Sequence, residues 1–289
     1  MTVSPVAVVT GATSGLGRIA ALRLAERGYR LVVTARDAAR ASALRDAVQV
    51  AAPWSEVEVI GTDFTSLTSV ASAGDAIASR HGRIDLLINN AGLHAFTQRV
   101  TGDGFSEMVS VNYLAHWLLT AKLRDRLTVS APARVVTVGS EASRRSNGLE
   151  IQRDLEDIRP FTAAGSSVVY GRTKLMNIMF AKELARQLDG SGVSSTCIDP
   201  GFNVTGLGRE LPFASGLEAV LTRLRIGSPE RGAGLILKAA TDPALRGVTG
   251  AYYSVGRAGP VEPIAPGANV QAQQALWAAT AERLESFMR

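Results

Sequence analysis

Short apolar segments alternate with longer segments of helical periodicity along nearly the whole chain of 289 residues. The first apolar segment, residues 6–9, is rich in β-branched residues and apolar on both faces. This is typical of a central parallel strand that helices cover on both sides. Because strands that alternate with helices form right-handed crossover units, the pattern predicts an α/β fold built on one mostly parallel sheet.

The predicted elements imply a single domain over residues 1–289, with a Rossmann-type, doubly wound sheet of about seven strands and helices on both faces. The predicted strands are residues 6–9, 31–34, 57–60, 84–88, 134–138, 193–198 and 251–255. The predicted helices are residues 18–27, 38–50, 67–80, 105–127, 168–188 and 230–240, followed by an amphipathic C-terminal helix at 270–287. Two longer segments, 141–167 and 202–228, follow strand ends, where ligands of open α/β sheets bind. We therefore expect both to surround a ligand site, with 202–228 as a substrate lid.

The composition argues against several classes of protein. The net charge of +5 comes from arginines scattered along the chain, with no basic run longer than Arg144-Arg145, so no nucleic-acid partner is expected. No apolar stretch reaches the roughly 18 residues of a membrane-spanning helix, and the first residues lack the charged region of a signal peptide, so no membrane insertion is expected. The single cysteine, Cys197, lies in a predicted strand, and we expect a buried thiol and a cytoplasmic location.

A glycine-rich turn joins the first predicted strand to the first predicted helix. It begins at Thr10 and contains Gly11, Ala12, Thr13, Ser14, Gly15, Leu16 and Gly17. Glycines allow a sharp turn and a close approach to a diphosphate at a helix N-terminus, where N–H groups and the helix dipole attract anions. The spacing G-x-x-x-G-x-G differs from the standard G-x-G-x-x-G fingerprint, but its place between a strand and a helix still predicts a dinucleotide site.

The end of the second predicted strand indicates which dinucleotide is bound. An acidic residue there would bind the ribose 2′-hydroxyl of NAD, whereas an arginine favours the 2′-phosphate of NADP. Ala35 occupies the acidic position and Arg36 follows it, while Arg18 follows the last glycine of the turn. We therefore expect NADP(H) to be preferred over NAD(H). Asp37 would oppose the phosphate only if it pointed inward, and it is also the predicted N-cap of the second helix.

Tyr170 and Lys174 are four residues apart in a predicted helix, so both side chains lie on one face, about 6 Å apart along its axis. A lysine ammonium in that position, near a bound cationic ring, would favour the phenolate and lower the pKa of the tyrosine from its ordinary value of about 10. Such a phenol can exchange a proton near neutral pH. The same spacing also occurs on exposed helix faces without any chemistry, so its meaning depends on the surrounding residues.

Together with the glycine turn, these residues resemble the short-chain dehydrogenase/reductase family nearly end to end. The other matching positions, in chain order, are Asp63 after the third strand, Asn89-Asn90-Ala91-Gly92 after the fourth, Asn112 in the next helix, Ser140 after the fifth strand and Pro200-Gly201 after the sixth. Residues 111–120, the tail around Trp277 and the long separation of Ser140 from Tyr170 are similar to the retinol-dehydrogenase and protochlorophyllide-reductase branch. This chain carries Gly139 where many members have a second serine.

The resemblance implies an oxidoreductase in which a nicotinamide dinucleotide carries the hydride and the protein positions and polarises the substrate. It gives Tyr170 the role of general acid/base, with Lys174 lowering its pKa and binding the nicotinamide ribose. It implies that Ser140 steadies the substrate oxygen and that Asn112 holds a water in a proton relay. The remaining cofactor-binding residues implied are Asp63 and Phe64 near the adenine, and Asn90, Ala91, Gly92, Pro200 and Gly201 along the cleft. Taken singly, Ser140 also fits a helix cap, Asp63 a turn aspartate and Asn112 an ordinary helix-face residue.

Other functions share parts of this pattern. A non-catalytic NADP-binding sensor or scaffold on the same fold would tend to lose the tyrosine–lysine pair, and a nucleotide-sugar epimerase or dehydratase would carry a different glycine turn. Apolar residues in 202–228 favour a small apolar carbonyl compound or alcohol as the substrate. Family members commonly form homo-oligomers through two long helices, although the C-terminal helix would cover one such surface. His81, His94 and His116 lack the spacing of metal ligands, so no metal is expected, and His94 is either a substrate contact or a solvated loop residue.

Overall fold

Seven strands form one sheet in the computed structural model, which describes residues 4–201 and 229–289. The strands are β1 (Val6–Thr10), β2 (Arg30–Ala35), β3 (Val57–Gly61), β4 (Leu86–Asn89), β5 (Arg134–Val138), β6 (Ser194–Asp199) and β7 (Tyr252–Ser254). Their order is β3-β2-β1-β4-β5-β6-β7, and all neighbouring pairs are parallel. The predicted sheet is therefore confirmed, and the carboxyl ends of all these strands meet at one edge.

Helices connect the strands and cover the sheet on both faces, as predicted. They are α1 (Gly15–Glu26), α2 (Ala38–Ala51), α3 (Leu67–Arg80), α4, α5 (Ile151–Glu156), α6 (Ala163–Gln187), α7 (Pro229–Thr241) and α8 (Val270–Met288). Helix α4 consists of Glu107–Val109, a π-helical turn at Ser110–Leu114, and Ala115–Val129. One apolar core lies under α1, α2 and α7, and a second lies under α3, α4, α6 and α8.

The strand order places the ligand cleft. After β3 the chain returns past β1, and β4 pairs with the other side of β1, with Val8 opposite Leu87 and Val32. This reversal is the topological switch point at which open α/β sheets bind ligands, outside the carboxyl ends of the strands. The glycine turn after β1 and residues 89–92 after β4 therefore face each other across that point.

The segment 141–167 contains more regular structure than its polar sequence suggests. It includes a 3₁₀ segment, Glu141–Arg145, and helix α5. Helix α6 begins five residues before the predicted start, because the Thr162 hydroxyl accepts a hydrogen bond from the Gly165 N–H (3.2 Å) and caps it. Asp154 is buried in α5, where its carboxylate pairs with Arg153 (2.7 Å) and Arg172 (3.3 Å), so α5 is tied to α6.

The predicted C-terminal helix is observed as α8, and it packs on α4 and α6. Trp277 stacks on Phe180 with ring centroids 5.9 Å apart, and its other neighbour is Trp117 at 5.1 Å. The Tyr113 hydroxyl forms a buried hydrogen bond with Thr280 (2.7 Å). These aromatic contacts bury an apolar face of the two long helices within this chain.

Among the described residues, no helix is both long enough and apolar enough to cross a bilayer. The predicted substrate lid, 202–228, lies outside the described residues.

Candidate active site

The glycine turn after β1 has the shape that a diphosphate-binding turn requires. Gly11 and Gly15 have φ values of +65° and +53°, a region that favours glycine. A Cβ at Gly17 would strike the Gly11 carbonyl oxygen and the Asn90 side chain, so no larger residue fits there. Ser14 is the N-cap of α1 but forms no side-chain capping bond, so the first N–H groups of the helix remain to bind an anion. Thr13 and Ser14 are half-buried in this turn, and Leu16 is buried in the core beneath it.

Residues 90–92 are fastened to the end of β1. The backbone N–H groups of Asn90 and Ala91 both donate to the Thr10 hydroxyl oxygen, each at 2.9 Å. The Asn90 side-chain amide donates to the Thr10 carbonyl (2.9 Å) and the Gly11 carbonyl (3.3 Å). A Cβ at Gly92 would lie 3.3 Å from Asn112 Oδ1 and 3.6 Å from Lys174 Nζ. The loop therefore joins the predicted cofactor turn to the predicted catalytic residues.

The ends of β2 and β3 form the outer part of the cleft. Ala35 is buried at the end of β2, and Arg36 is exposed beside it. Asp37 caps α2 by accepting from the Arg40 N–H (3.0 Å), as predicted. After β3, Asp63 accepts from the Thr65 N–H (3.0 Å) and the Thr65 hydroxyl (2.8 Å). Asp63 is thus a turn aspartate in this structure, which leaves its predicted adenine contact a prediction.

Tyr170 and Lys174 lie on the same side of α6, and both are buried. The Lys174 ammonium is 5.7 Å from the centre of the Tyr170 ring and donates a hydrogen bond to the Val138 carbonyl (3.0 Å) at the end of β5. Asn177, one turn later, donates to the same carbonyl (3.2 Å). The lysine is therefore held in one position beneath the tyrosine.

Electrostatics around the pair differ from the prediction. Burial raises the pKa of Tyr170 above its ordinary value, and the Asp199 carboxylate raises it further. Burial also lowers the pKa of Lys174 to about 8, although Cys197 and Asp199 act in the opposite direction. The lowered pKa expected for Tyr170 is not found for the protein's own groups, because burial and Asp199 both raise it. The expectation also included a bound cationic ring, and the effect of that ring stays a prediction. At neutral pH Tyr170 keeps its proton.

Ser140 follows β5 and begins the 3₁₀ segment that packs against α6. Its hydroxyl oxygen accepts from the Ala142 N–H (3.1 Å), so Ser140 is a helix cap that retains a hydroxyl proton to donate. The close approach of the two segments requires Gly171, where a Cβ would lie 2.5 Å from the Ala142 carbonyl oxygen. A glycine is required at position 139 for a similar reason, because a Cβ there would lie 2.8 Å from Cys197 Sγ. The residue pattern around Ser140 therefore follows from packing against α6 and β6.

Asn112 lies in the π-helical turn of α4 and is fully buried. Its side-chain oxygen accepts from the Leu93 N–H (2.8 Å), and its amide donates to the Leu93 carbonyl (2.9 Å) and to Thr173 Oγ1 (3.1 Å). Asn112 is thus not an ordinary helix-face residue, because it binds both the loop after β4 and the turn of α6 between Tyr170 and Lys174. Its predicted role in a water relay stays a prediction.

His94 is a packed residue of the site and not a solvated loop residue. Its ring stacks on the Tyr170 ring with centroids 4.8 Å apart and an interplanar angle of 19°. Its Nε2 is 3.0 Å from the Ser166 hydroxyl on α6. Its position two residues after Gly92 was the sequence signal for this contact, but only the fold shows which ring it faces.

At the end of β6, Asp199 organises the turn that contains Pro200 and Gly201. One carboxylate oxygen accepts from the Gly201 N–H (3.0 Å) and the other from the Ser254 hydroxyl (2.8 Å). Gly201 has a φ of +77°, and a Cβ there would strike Val255. Asp199 was not predicted as a site residue, although its charge acts on both Tyr170 and Lys174. Cys197 is the buried strand residue that was predicted, and burial raises the pKa of its thiol to about 12.

Comparisons with known proteins agree with this geometry. The family model described as short chain dehydrogenase matches residues 5–151. Retinol dehydrogenase 14 of Homo sapiens is 34% identical over 262 residues, which cover 85% of this chain and 76% of that protein. The crystal structure of an uncharacterized protein from Mycobacterium paratuberculosis has a TM-score of 0.76 at 29% identity and covers 97% of this chain and 93% of that chain. The NADP complex of Pseudomonas aeruginosa RhlG has a TM-score of 0.65 at 26% identity and covers 87% of this chain and 94% of that chain. The chain therefore belongs to the short-chain dehydrogenase family, in the retinol-dehydrogenase-like branch.

Proposed function

We propose that this protein is an NADP(H)-dependent oxidoreductase that interconverts a small apolar carbonyl compound and its alcohol, with Tyr170 as the general acid/base. The observation that carries the proposal is the fixed Lys174 ammonium, 5.7 Å from the Tyr170 ring and bonded to Val138 at the end of β5. A lysine without a functional role is usually exposed to solvent, whereas Lys174 is buried at the carboxyl edge of the parallel sheet beside the Tyr170 phenol. Ligands of such sheets bind at that edge.

The residues at the switch point fit a dinucleotide. The turn combines the positive φ values of Gly11 and Gly15, the close contact at Gly17 and the uncapped N-terminus of α1. When bound there, the dinucleotide would supply or accept the hydride. Lys174 lies next to Gly92 on the opposite wall, where its ammonium would bind ribose hydroxyls.

The proton chemistry follows from the chain's own groups. Tyr170 holds its proton at neutral pH and would donate it to a carbonyl oxygen during reduction. The Ser140 hydroxyl would donate a second hydrogen bond to the same oxygen. Lys174, with a pKa lowered to about 8, is largely protonated at neutral pH and would stabilise the phenolate that remains. In the oxidation direction the same groups would act in reverse.

The preference for NADP(H) rests on two arginines. Within residues 4–201 and 229–289, neither Arg18 nor Arg36 has an ion-pair partner, whereas Asp37 is bonded to the start of α2 and to Arg40 (3.4 Å). The carboxylate is therefore already paired with its own helix, and the two guanidinium groups remain to bind a 2′-phosphate.

The name of the human relative supports an apolar alcohol or aldehyde as the substrate. The assay is NADPH oxidation, followed at the nicotinamide absorbance band, with all-trans-retinal, decanal and 2-decanone. Reduction of at least one of them supports the proposal. NADPH binding without any turnover of the three would favour a non-catalytic sensor.

Tyr170→Phe tests the catalytic role, because it keeps the ring and its stack on His94 but removes the proton. We expect turnover to be lost by about a thousandfold or more, with NADPH binding retained. Tyr29→Phe is the matched control, since Tyr29 lies before β2 at the opposite edge of the sheet, and full activity is expected. Near-normal turnover in Tyr170→Phe would refute the assignment.

Arg36→Ala tests the cofactor preference. We expect the ratio of NADPH to NADH affinity to fall about tenfold or more, because a charge-assisted bond to the 2′-phosphate is lost. Arg45 is an exposed arginine within α2, and Arg45→Ala should leave the ratio unchanged. An unchanged ratio in Arg36→Ala would contradict the argument.

A further inference from the structure

His116 is buried between the cofactor turn and the catalytic helix, and the roles given above do not use it. It is 1% exposed. Its Nε2 lies 3.3 Å from Thr10 Oγ1, at the end of β1, and its Nδ1 lies 3.1 Å from the Asn112 carbonyl oxygen in the π-helical turn of α4. The ring of Phe64, which follows β3, meets it edge-on with centroids 5.6 Å apart.

The hydrogen bonds fix which ring nitrogen carries the proton. A carbonyl oxygen can only accept, so the contact with Asn112 requires a proton on Nδ1. Thr10 Oγ1 already accepts from two backbone N–H groups, those of Asn90 and Ala91, which use both of its lone pairs. Nε2 is therefore bare, and it lies 3.3 Å from the Thr10 hydroxyl, whose single proton is shared between Nε2 and the Ile88 carbonyl (3.2 Å).

The surroundings keep this ring neutral. Burial lowers the pKa of His116 to about 3, and the Lys174 ammonium lowers it further. A proton on Nε2 would also face a hydroxyl oxygen with no lone pair left to accept it. His116 is thus a fixed neutral connector at neutral pH.

The connection continues into the catalytic helix. Asn112, whose backbone carbonyl accepts from His116, binds Thr173 Oγ1 through its side chain (3.1 Å). The Thr173 hydroxyl donates to the Tyr170 carbonyl (2.8 Å), one turn before Lys174. A continuous series of contacts therefore runs from Thr10, next to the glycine turn, through His116 and Asn112 to the helix that carries the acid/base pair.

We propose that His116 is a positioning residue that fixes the cofactor turn relative to the Asn112–Thr173 contact. One of its ring nitrogens supports cofactor binding, and the other supports turnover. The Nε2 contact orders the loop after β4 against the glycine turn and so supports cofactor affinity. The Nδ1 contact fixes the π-helical turn and so supports the alignment of Tyr170 and Lys174. This inference rests on the proposed function, since it concerns binding and turnover at that same site.

Two substitutions separate the two nitrogens. In His116→Gln the terminal amide reaches the place of Nε2 and can accept from Thr10, but the donor to Asn112 is lost. In His116→Asn the shorter amide lies near the place of Nδ1 and can donate to Asn112, but the acceptor for Thr10 is lost. His116→Phe loses both contacts.

The measurements are the NADPH dissociation constant, by nucleotide fluorescence, and kcat at saturating NADPH with whichever of all-trans-retinal, decanal or 2-decanone the wild type reduces. We expect His116→Asn to weaken NADPH binding about tenfold with little change in kcat, and His116→Gln to lower kcat about tenfold with little change in binding. His116→Phe should show both losses. His81→Gln is the matched control, because His81 is also buried and bonded to a polar partner, Glu58 at 2.9 Å, where α3 ends at the opposite edge of the sheet. It should change neither constant.

A measurement on the unaltered protein guards against variants that fail to fold. With only three histidines in the chain, imidazole ¹⁵N spectra can be assigned with His81→Gln and a His94 variant. We expect His116 to show the Nδ1–H tautomer from about pH 8 to about pH 5.

Three results would overturn the inference: an imidazolium or Nε2–H form of His116 at neutral pH, wild-type constants in all three His116 variants, or equal losses in the His81 control. If the wild type bound neither NADPH nor NADH, the proposed function would fail and this inference with it. Wild-type binding and turnover with unaffected His116 variants would refute the inference alone.

Discussion

The close contact between α6 and the segment after Ser140 makes Gly171→Ala a sharp perturbation. The added Cβ would lie 2.5 Å from the Ala142 carbonyl oxygen and 3.0 Å from the Ser146 backbone nitrogen. Comfortable non-bonded contact begins at about 3.5 Å, so the two segments must separate by about 1 Å. Both partners are backbone atoms, which cannot rotate out of the way.

The cost can be worked out from two opposing contributions. Overpacking against backbone costs ~2–3 kcal/mol of unfolding free energy, and the better helix propensity of alanine returns ~1 kcal/mol. We therefore expect a net loss of ~1–2 kcal/mol, equivalent to a fall in Tm of about 2–3 °C for a chain of this size. Because the separation moves Ser140 away from Tyr170 by about the same distance, kcat/KM should fall about a hundredfold while NADPH affinity is retained.

Gly165→Ala on the same helix provides the control. A Cβ there would meet its nearest neighbours, Phe161 and Thr162, at 3.6 Å, an ordinary contact. Its stability should stay equal or rise by up to ~1 kcal/mol, with unchanged turnover. Thermal unfolding and NADPH-linked reduction of the carbonyl substrate are measured on both variants. If Gly171→Ala proved as stable and as active as Gly165→Ala, the packing argument for the position of Ser140 would be refuted.

Two further predictions concern buried groups. Gly139→Ala should cost ~1–3 kcal/mol of unfolding free energy, because its Cβ would lie 2.8 Å from Cys197 Sγ. Cys197→Ala in the same chain should recover most of that loss, measured by chemical denaturation. If the effects of the two substitutions on the unfolding free energy simply added, the contact would be contradicted. The pKa of His116 is lowered from 6.5 to about 3 in the folded state, so below about pH 6.5 the unfolded chain binds a proton that the folded chain does not. The unfolding free energy should then fall by ~1.4 kcal/mol per pH unit until the pH approaches 3. His116→Phe should show a shallower acid slope in urea titrations, and parallel slopes would rule this linkage out.

The sequence predicted the sheet and the order of the site residues because both depend on local signals. Strand β5 and helix α3 were predicted to the residue, since apolar runs and helical spacing are short-range patterns. The site residues follow strand ends, and a parallel sheet brings all such ends to one edge. That single rule is enough to place Asn90, Ser140 and Gly201 around one cleft.

The errors concern properties that depend on contacts between distant segments. The start of α6 was predicted too late because the capping bond of Thr162 lies in a segment without helical periodicity. The pKa of Tyr170 depends on its burial and on Asp199, which lies on a different strand, and neither is visible in the spacing of Tyr170 and Lys174. The contacts of His116 were not predicted, although it lies in the matched segment 111–120, because its partner Thr10 reaches it only when β1 and α4 pack together.

Helix α6, which carries Tyr170 and Lys174, is therefore supported from two sides that share no residue. On one side Gly171 allows the backbone near Ser140 to approach α6, and on the other Asn112 and His116 hold Thr173. Independent supports of this kind contribute additively to the activation free energy, so the losses in kcat from Gly171→Ala and His116→Gln should multiply in the double variant. A double variant no slower than the slower single variant would mean that both substitutions release the same movement of α6. In that case the helix would shift as one rigid unit, and the two contacts would act as one constraint on Tyr170 and Lys174.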